Sequence, residues 1–274
     1  MKRWPGRDGW FLIAMGSALA LYVSLIASVL IVDAAKTELS VVARAVQDPD
    51  IIFAIKLSIF SCTISALMSV VVAVPIGYLM SRTRFPGRLL VDVGLDIPIV
   101  LPPLVIGLSL LILFQTSAGR FFEQQFQALT GSGITYEIPA VILAQFMVAC
   151  AFAVRTMRVT FDQINPRAEK VALTLGCTRW QAFRLVALPE AWKGVITAGT
   201  MAWARSLGEF GPILVFAGAT RQRTEVLSTT VFLELSMGRL DTAIAVSFIM
   251  IVIAVIVLLL VRRWGAGTDL ARSC

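Results

Sequence analysis

The amino-acid sequence predicts an all-α, polytopic membrane protein with six transmembrane helices. Composition is the first reason: 58% of the 274 residues are hydrophobic, 15% are charged, and the mean hydropathy is +0.84. A soluble domain with this balance would expose large apolar patches and aggregate. The second reason is that the apolar residues fall into six long runs. Each run can cross a bilayer core as a helix that satisfies its own backbone hydrogen bonds.

The chain is predicted to form a single transmembrane domain, residues 1–274. The six membrane helices are expected at about residues 10–32, 51–80, 89–114, 138–158, 194–217 and 242–261. The first run exceeds the apolar region of a typical signal peptide and lacks a convincing cleavage site. We therefore interpret it as a membrane helix, although Asp33-Ala34-Ala35 keeps a cleaved signal peptide open as an alternative.

Several kinds of site are excluded by residue type. The chain has no histidine, its four cysteines are scattered without a CxxC pair, and no GxxxxGK[ST] motif occurs. Histidine-based catalysis, the common zinc motifs and the usual P-loop for ATP therefore have no candidates. We expect no catalytic, cofactor-binding or metal-binding residue in this chain. The net charge of +7 does not indicate nucleic-acid binding, because basic residues concentrate in the cytoplasmic loops of membrane proteins.

The lysine and arginine distribution predicts that both termini are cytoplasmic. With the N-terminus inside, the inner segments hold 16 basic residues and the outer segments hold 6. The inner residues are Lys2, Arg3, Arg7, Arg82, Arg84, Arg88, Arg155, Arg158, Arg167, Lys170, Arg179, Arg184, Lys193, Arg262, Arg263 and Arg272. The outer ones are Lys36, Arg44, Arg120, Arg221, Arg223 and Arg239.

The third apolar run is unusual because it combines charge with helix-breaking residues. It contains Asp92, Asp96, Pro98, Pro102, Pro103 and Gly107. Prolines free backbone carbonyls and bend a helix, which a membrane tolerates only where protein or a water-filled cavity receives those groups. A packing kink and a pathway-lining role both remain open.

The fifth run contains Arg205 and Glu209, which stand at i and i+4 and can pair on one helix face. Charged residues in a membrane segment usually face the interior of the helix bundle. Gly208, Gly211 and Pro212 allow close packing and a bend. The pair either locks two helices or contacts a transported solute.

Residues 165–189 form a polar segment between two apolar runs, with the signals of two short helices joined by a tight turn. Asn165 can cap the first helix, and Gly176 suits the left-handed position just after it. Thr178 and Gln181 form a capping box for the second helix. Pro189 is expected to end that helix, because a residue before proline is disfavoured in the α region.

This segment resembles the EAA loop of ATP-binding-cassette importer permeases. The matching positions are Glu169, Ala172, Gly176, Val186, Leu188 and Pro189. Lys170 and Val171 depart from the pattern, in place of a common second acid and the first alanine, but the spacing is intact. The string SLGEFG, residues 206–211, closely resembles the molybdate, tungstate and sulfate permease subgroup. The string LPPLVIGLSLL, residues 101–111, is similar to the equivalent stretch of oxyanion importers.

The resemblance implies a type I importer permease fold and transport by alternating access, without chemistry on the substrate. It also implies a homodimer in the lipid of a bacterial inner membrane, two separate ATPase subunits that bind ATP-Mg, and an extracytoplasmic substrate-binding protein. Residues 165–189 would couple the chain to the ATPase through the six matching positions. The pathway or gate would include Pro102, Pro103, Gly107, Arg205, Ser206, Gly208, Glu209 and Gly211.

Two other classes remain as alternatives. An ion-coupled secondary transporter would use Asp92, Asp96 and Glu209 as proton or cation sites, but would leave the capped polar segment unexplained. An intramembrane hydrolase would need Asp92 and Asp96 as an aspartyl pair. For Glu169, the plain alternative is an exposed acid near a helix N-terminus.

Overall fold

Helices account for all the regular structure in the part of the chain that the structure describes, residues 9–36 and 38–270 of a computed structural model. No strand occurs in these residues, so the prediction of a mostly helical chain is confirmed there. Four of the basic residues used to predict orientation lie outside the described residues. They are Lys2, Arg3, Arg7 and Arg272.

Fourteen α-helices follow one another in the described residues. They are α1 (Gly9–Lys36), α2 (Leu39–Gln47), α3 (Pro49–Arg82), α4 (Arg88–Val100), α5 (Pro103–Gln115), α6 (Ser117–Thr130), α7 (Ile138–Gln163), α8 (Arg167–Thr174), α9 (Arg179–Ala182), α10 (Leu188–Glu190), α11 (Trp192–Leu207), α12 (Gly211–Phe216), α13 (Leu227–Ser236) and α14 (Leu240–Leu270). A π-helical turn, Phe183–Ala187, connects α9 to α10.

Four of the described helices are long and apolar enough to cross a membrane. These spans are Trp10–Ala35, Pro49–Arg82, Ile138–Gln163 and Leu240–Val261. The third apolar run is divided into α4 and α5, which meet at an angle of 112° and form either a broken span or a re-entrant loop. The run at 194–217 is divided between α11 and α12, and neither piece reaches the length of a span by itself.

The centre of the fold is the packing of α3 against α7 and α11. Small side chains at the contact let the helix backbones approach closely. A β-carbon at Gly77 of α3, for example, would stand 2.7 Å from the β-carbon of Met157 on α7. A second apolar cluster joins α5, α7 and α12 around Ile106, Val141 and Phe216. The two broken runs therefore pack on α7.

Pro189 does not end a helix, so that expectation was wrong. Leu188 keeps helical backbone angles, φ −68° and ψ −43°, and α10 contains the proline. The π-helical turn stands directly before it and includes Leu185. A proline ring clashes with the carbonyl four residues earlier, here that of Leu185, and the wider π turn relieves this clash.

Candidate functional site

The polar segment between α7 and α11 is a capped pair of short helices. The Arg167 N–H donates to Asn165 Oδ1 at 3.0 Å. Thr178 Oγ1 accepts from the Gln181 N–H at 3.2 Å, and Gln181 Oε1 accepts from the Thr178 N–H at 2.8 Å. Gly176 has φ +90°, as the left-handed position after the first helix requires. The Thr178–Gln181 capping box and the left-handed Gly176 are confirmed, whereas Asn165 bonds the first residue of α8 from one position before its N-cap, Pro166.

Glu169 points into the protein from α8. Only 6% of Glu169 is exposed, so the interpretation of this residue as an exposed helix acid is wrong. The Tyr78 hydroxyl donates to Glu169 Oε2 at 2.8 Å, and Arg82 Nε donates to Oε1 at 2.9 Å. A buried carboxylate needs such partners, because an unpaired charge in the interior is strongly unfavourable.

Arg82, at the end of α3, joins three elements. Besides its pair with Glu169, it donates to the carbonyls of Phe161 at 2.8 Å and Ile164 at 3.1 Å. These carbonyls belong to the last turn and the end of α7, where a cation is favoured. In the sequence Arg82 stands out only as a loop charge and Tyr78 not at all, since no local pattern relates either residue to Glu169.

The opposite face of α8 is exposed and apolar. Val171 is 56% exposed and Leu175 80% exposed. Ala172 is half-buried beside them, and Gly176 is exposed. At the exit of the segment, Val186 and Leu188 are half-buried and Pro189 is exposed. The predicted coupling residues thus divide into one internal acid and an outward-facing surface.

The structure brings the two broken runs into direct contact. A β-carbon at Gly107 would lie 2.7 Å from the Cα atom of Pro212, and one at Gly211 would lie 3.0 Å from the Leu104 nitrogen. Pro102 and Pro103 are exposed at the break between α4 and α5. Because these prolines have no N–H, the break offers fewer donors to an anion than an ordinary helix start.

Arg205 and Glu209 form the ion pair that their spacing predicts, with Nη1 and Oε2 2.7 Å apart. The Glu209 side chain is 1% exposed, whereas that of Arg205 is 32% exposed. The Arg205 guanidinium lies over the Phe152 ring at 5.7 Å. A cation above an aromatic face is stabilised there, so Arg205 is held toward α7.

Hydrogen bonds also hold the backbone and side chains next to the Arg205–Glu209 pair. Ser206 is buried, and its hydroxyl lies 3.1 Å from that of Ser65. The Ser228 hydroxyl donates to the Glu209 carbonyl at 2.7 Å. Gly208 is exposed at the break between α11 and α12.

Two neighbouring cavities border the C-terminal half of α7. The first, about 760 Å³, is an open groove between α7 and α11 that includes Phe152, Arg155 and Met201. The second, about 320 Å³, lies against α4 and includes Asp92 and Asp96. Asp92 pairs with Arg158 across it.

Asp92, Asp96 and Glu209, the acids that an ion-coupled transporter would use, do not line a common cavity. Glu209 does not line the cavity that contains Asp92 and Asp96. Among the described residues, no group of three or more His, Cys, Asp or Glu side chains is arranged to hold a metal ion.

Comparison with known proteins identifies the family. Residues 73–267 match the family described as "Binding-protein-dependent transport system inner membrane component". The chain belongs to this family. It is therefore an integral membrane component of a binding-protein-dependent transport system, and the predicted relationship to importer permeases is confirmed.

Several relatives of this chain are named as sulfate, molybdate/tungstate or molybdenum permeases. The chain is 30% identical to the sulfate transport system permease protein CysT of Escherichia coli K12, over 90% of each chain. It is also 30% identical to the molybdate/tungstate transport system permease protein WtpB of Thermococcus kodakarensis, over 93% of this chain and 94% of the relative. A probable molybdenum ABC transporter permease of Haloferax volcanii is 34% identical, over 77% of this chain and 74% of the relative.

The fold is similar to that of a solved importer. A chain in the crystal structure of a bacterial alginate ABC transporter, in complex with an alginate-bound periplasmic protein, superposes with a TM-score of 0.71 at 20% identity. The match covers 93% of both chains. At this identity the likeness concerns the fold, and it confirms the permease architecture.

Proposed function

We propose that this chain forms the membrane pathway of an ATP-driven importer for a tetrahedral oxyanion: molybdate, tungstate or sulfate. Two copies would assemble with two separate ATPase subunits in a bacterial inner membrane, with both termini cytoplasmic. An extracytoplasmic binding protein would deliver the anion. ATP-Mg would bind only to the ATPase, and its hydrolysis would drive alternating access.

The outward face of α8 carries the coupling part of the proposal. Val171 and Leu175 expose apolar side chains on α8 and at its C-cap; the Asn165 side chain bonds the first residue of this helix, and the Gly176 and Cys177 N–H groups bond its last carbonyls. Exposed apolar surface of this kind is typical of a protein–protein contact. The polar segment lies between α7 and α11 and is connected to both, so it can transmit the movement of a bound partner to these helices.

The oxyanion part of the proposal is supported by the curated relatives and by Arg205. The Arg205 side chain is one-third exposed, and its guanidinium is held beside Phe152, which also lines the open groove between α7 and α11. Arg155 is exposed on the same wall. Guanidinium groups donate several hydrogen bonds in a fixed plane and suit oxyanions.

Co-purification tests the coupling. Wild type in a gentle detergent should retain an ATPase subunit, and Val171→Asp and Leu175→Asp should release it. Leu129→Asp is the matched control, because Leu129 is 85% exposed on α6, outside the coupling segment. Failure of the wild type to bring down an ATPase would contradict the proposal and favour the ion-coupled transporter.

Uptake by reconstituted vesicles tests the energy source and the substrate. The proposed importer should need ATP and a binding protein, and an uncoupler should not stop uptake. Molybdate, tungstate and sulfate should compete with one another, whereas an uncharged solute should not. Collapse of uptake with the uncoupler, without any requirement for ATP, would contradict the proposal.

A further inference from the structure

We propose that Glu169 is an internal latch that ties α8 to α3 and α7 through Arg82 and Tyr78, and that it makes no contact with the ATPase. The inference rests on the proposed function and specifies how movement passes from α8 into the membrane. Glu169 is therefore a positioning residue for the transport cycle.

The burial of Glu169 indicates that it acts within this chain and not on a docked partner. Only 6% of the residue is exposed, and both carboxylate oxygens accept hydrogen bonds from α3. A partner that docked on the exposed Val171 and Leu175 would approach from the other side of α8. The carboxylate would therefore stay within the chain while the helix is pushed.

Arg82 makes the connection stiff. Its planar guanidinium binds Glu169 and also the carbonyls of Phe161 and Ile164. Charge-assisted hydrogen bonds from one rigid group are strong and directional. Displacement of α8 must either carry Arg82, and with it the ends of α3 and α7, or break these bonds.

Aromatic packing also attaches the second half of the polar segment, α9 and the π-helical turn, to Tyr78 of α3. The Tyr78 ring packs edge-on against Phe161 at 5.4 Å and Phe183 at 4.7 Å. Phe183 opens the π-helical turn, and it also contacts Trp180 of α9 at 5.6 Å. Tyr78 thus joins both short helices to α3, by its hydroxyl on one side and its ring on the other.

The first test separates docking from coupling. Glu169→Gln, Arg82→Lys and Tyr78→Phe are compared with Arg84→Gln, a control at an exposed arginine two residues from the latch. Each variant is reconstituted with the ATPase and binding protein. We expect ATPase co-purification to stay within about twofold of wild type. The ATP hydrolysed per anion imported should rise roughly tenfold for Glu169→Gln, as for loss of a hydrogen bond to a charged group. The rise should be smaller for Tyr78→Phe, and Arg84→Gln should match wild type.

Loss of co-purification in Glu169→Gln alone would identify Glu169 as a docking contact and overturn the latch. Unchanged coupling in all three variants would also overturn it. If Arg82→Lys fails to accumulate, the two milder variants decide the result.

The second test needs no ATPase, so it distinguishes failure of the latch from failure of the proposed function. Cys177 is half-buried between α8 and α9, and the other three cysteines can be replaced by alanine. Loosening α8 should speed maleimide labelling of Cys177 several-fold in Glu169→Gln but not in Arg84→Gln. Equal labelling rates in Glu169→Gln and wild type would show that no latch holds α8.

Discussion

Gly107 and Pro212 bring the two broken helical runs together with no room for a side chain between them. A β-carbon at Gly107 would stand 2.7 Å from the Pro212 Cα and 3.0 Å from the Pro212 carbonyl oxygen. Backbone atoms cannot move aside as a flexible side chain can. The contact between α5 and α12 therefore depends on glycine at this position.

Gly107→Ala should separate α5 from α12 and destabilise the protein by about 1–3 kcal/mol, the usual effect of overpacking. Thermal unfolding in detergent and anion uptake measure the effect, and both should fall. Gly94→Ala in α4 is the matched control, because a β-carbon added there would meet no atom within 4 Å outside its own turn of helix. Since alanine favours a helix over glycine, Gly94→Ala should be neutral or slightly stabilising. Equal behaviour of the two variants would contradict the close contact.

Gly176→Ala should weaken attachment of the ATPase without creating a clash. The position has φ +90° and open space around it, so the cost is backbone strain alone, about 1–2 kcal/mol. Gly176→Asn should be milder, because asparagine tolerates the left-handed region. Co-purification of the ATPase measures the effect.

Gly131→Ala controls for that strain. Gly131 has φ +79°, ends α6 and is equally open. Both alanine variants should lower thermal stability by similar amounts, but only Gly176→Ala should lower ATPase association. Loss of the ATPase in both variants would indicate a general folding defect.

The parts of the site that the sequence predicted are those set by local chemistry. The bonds from Arg167 to Asn165 and from Gln181 to Thr178 span two and three residues. The Arg205–Glu209 pair spans four residues, from the last turn of α11 to the break that follows it. Local spacing determines such contacts, so a pattern in the sequence is enough to predict them.

Contacts between distant residues could not be predicted in this way. Glu169 meets Arg82 across 87 positions and Tyr78 across 91, so their pairing depends on how α3 and α7 pack. The prolines of the third run predicted a bend but not its angle of 112°. Leu188 kept its helical conformation because the π turn before Pro189 accommodates the ring, and no residue type signals a π turn reliably.

The Arg205–Glu209 pair allows its structural and transport roles to be separated. Arg205→Ala leaves the buried Glu209 carboxylate without its partner and should destabilise the protein by about 1–3 kcal/mol. Adding Glu209→Gln removes the unpaired charge and should restore most of that stability. We expect uptake to stay low in the double variant, because the partly exposed guanidinium beside Phe152 is still missing.

The two single variants and the double variant form a double-mutant cycle with the wild type. Thermal unfolding in detergent and vesicle uptake are measured on each of them. Recovery of uptake together with stability in the double variant would show that Arg205 acts only as a partner for Glu209. Glu209→Gln alone should retain uptake, since it leaves the arginine in place.

Glu225 should make stability depend on pH. It lies between α12 and α13 and is fully buried, and neither carboxylate oxygen accepts a hydrogen bond of normal geometry from the described residues; the Thr230 hydroxyl donates to the Val226 carbonyl instead. Burial raises the pKa of Glu225 above its ordinary value of 4.5; the Thr230 hydroxyl and Arg221 oppose the rise, and nearby Asp50 and Glu234 add to it.

The folded protein therefore binds this proton more tightly than the unfolded chain does. Its stabilising contribution is full below the ordinary pKa and is lost as pH rises through the raised pKa of the folded state. Glu225→Gln should raise the melting temperature in detergent at neutral pH and flatten its decline with pH. Glu234→Gln is the contrasting variant: Glu234 is 2.6 Å from Arg221, so losing its charge should lower the melting temperature at neutral pH. If Glu225→Gln also lowers it, the Glu225 carboxylate is ionised and stabilised in the folded protein, and the raised pKa is wrong.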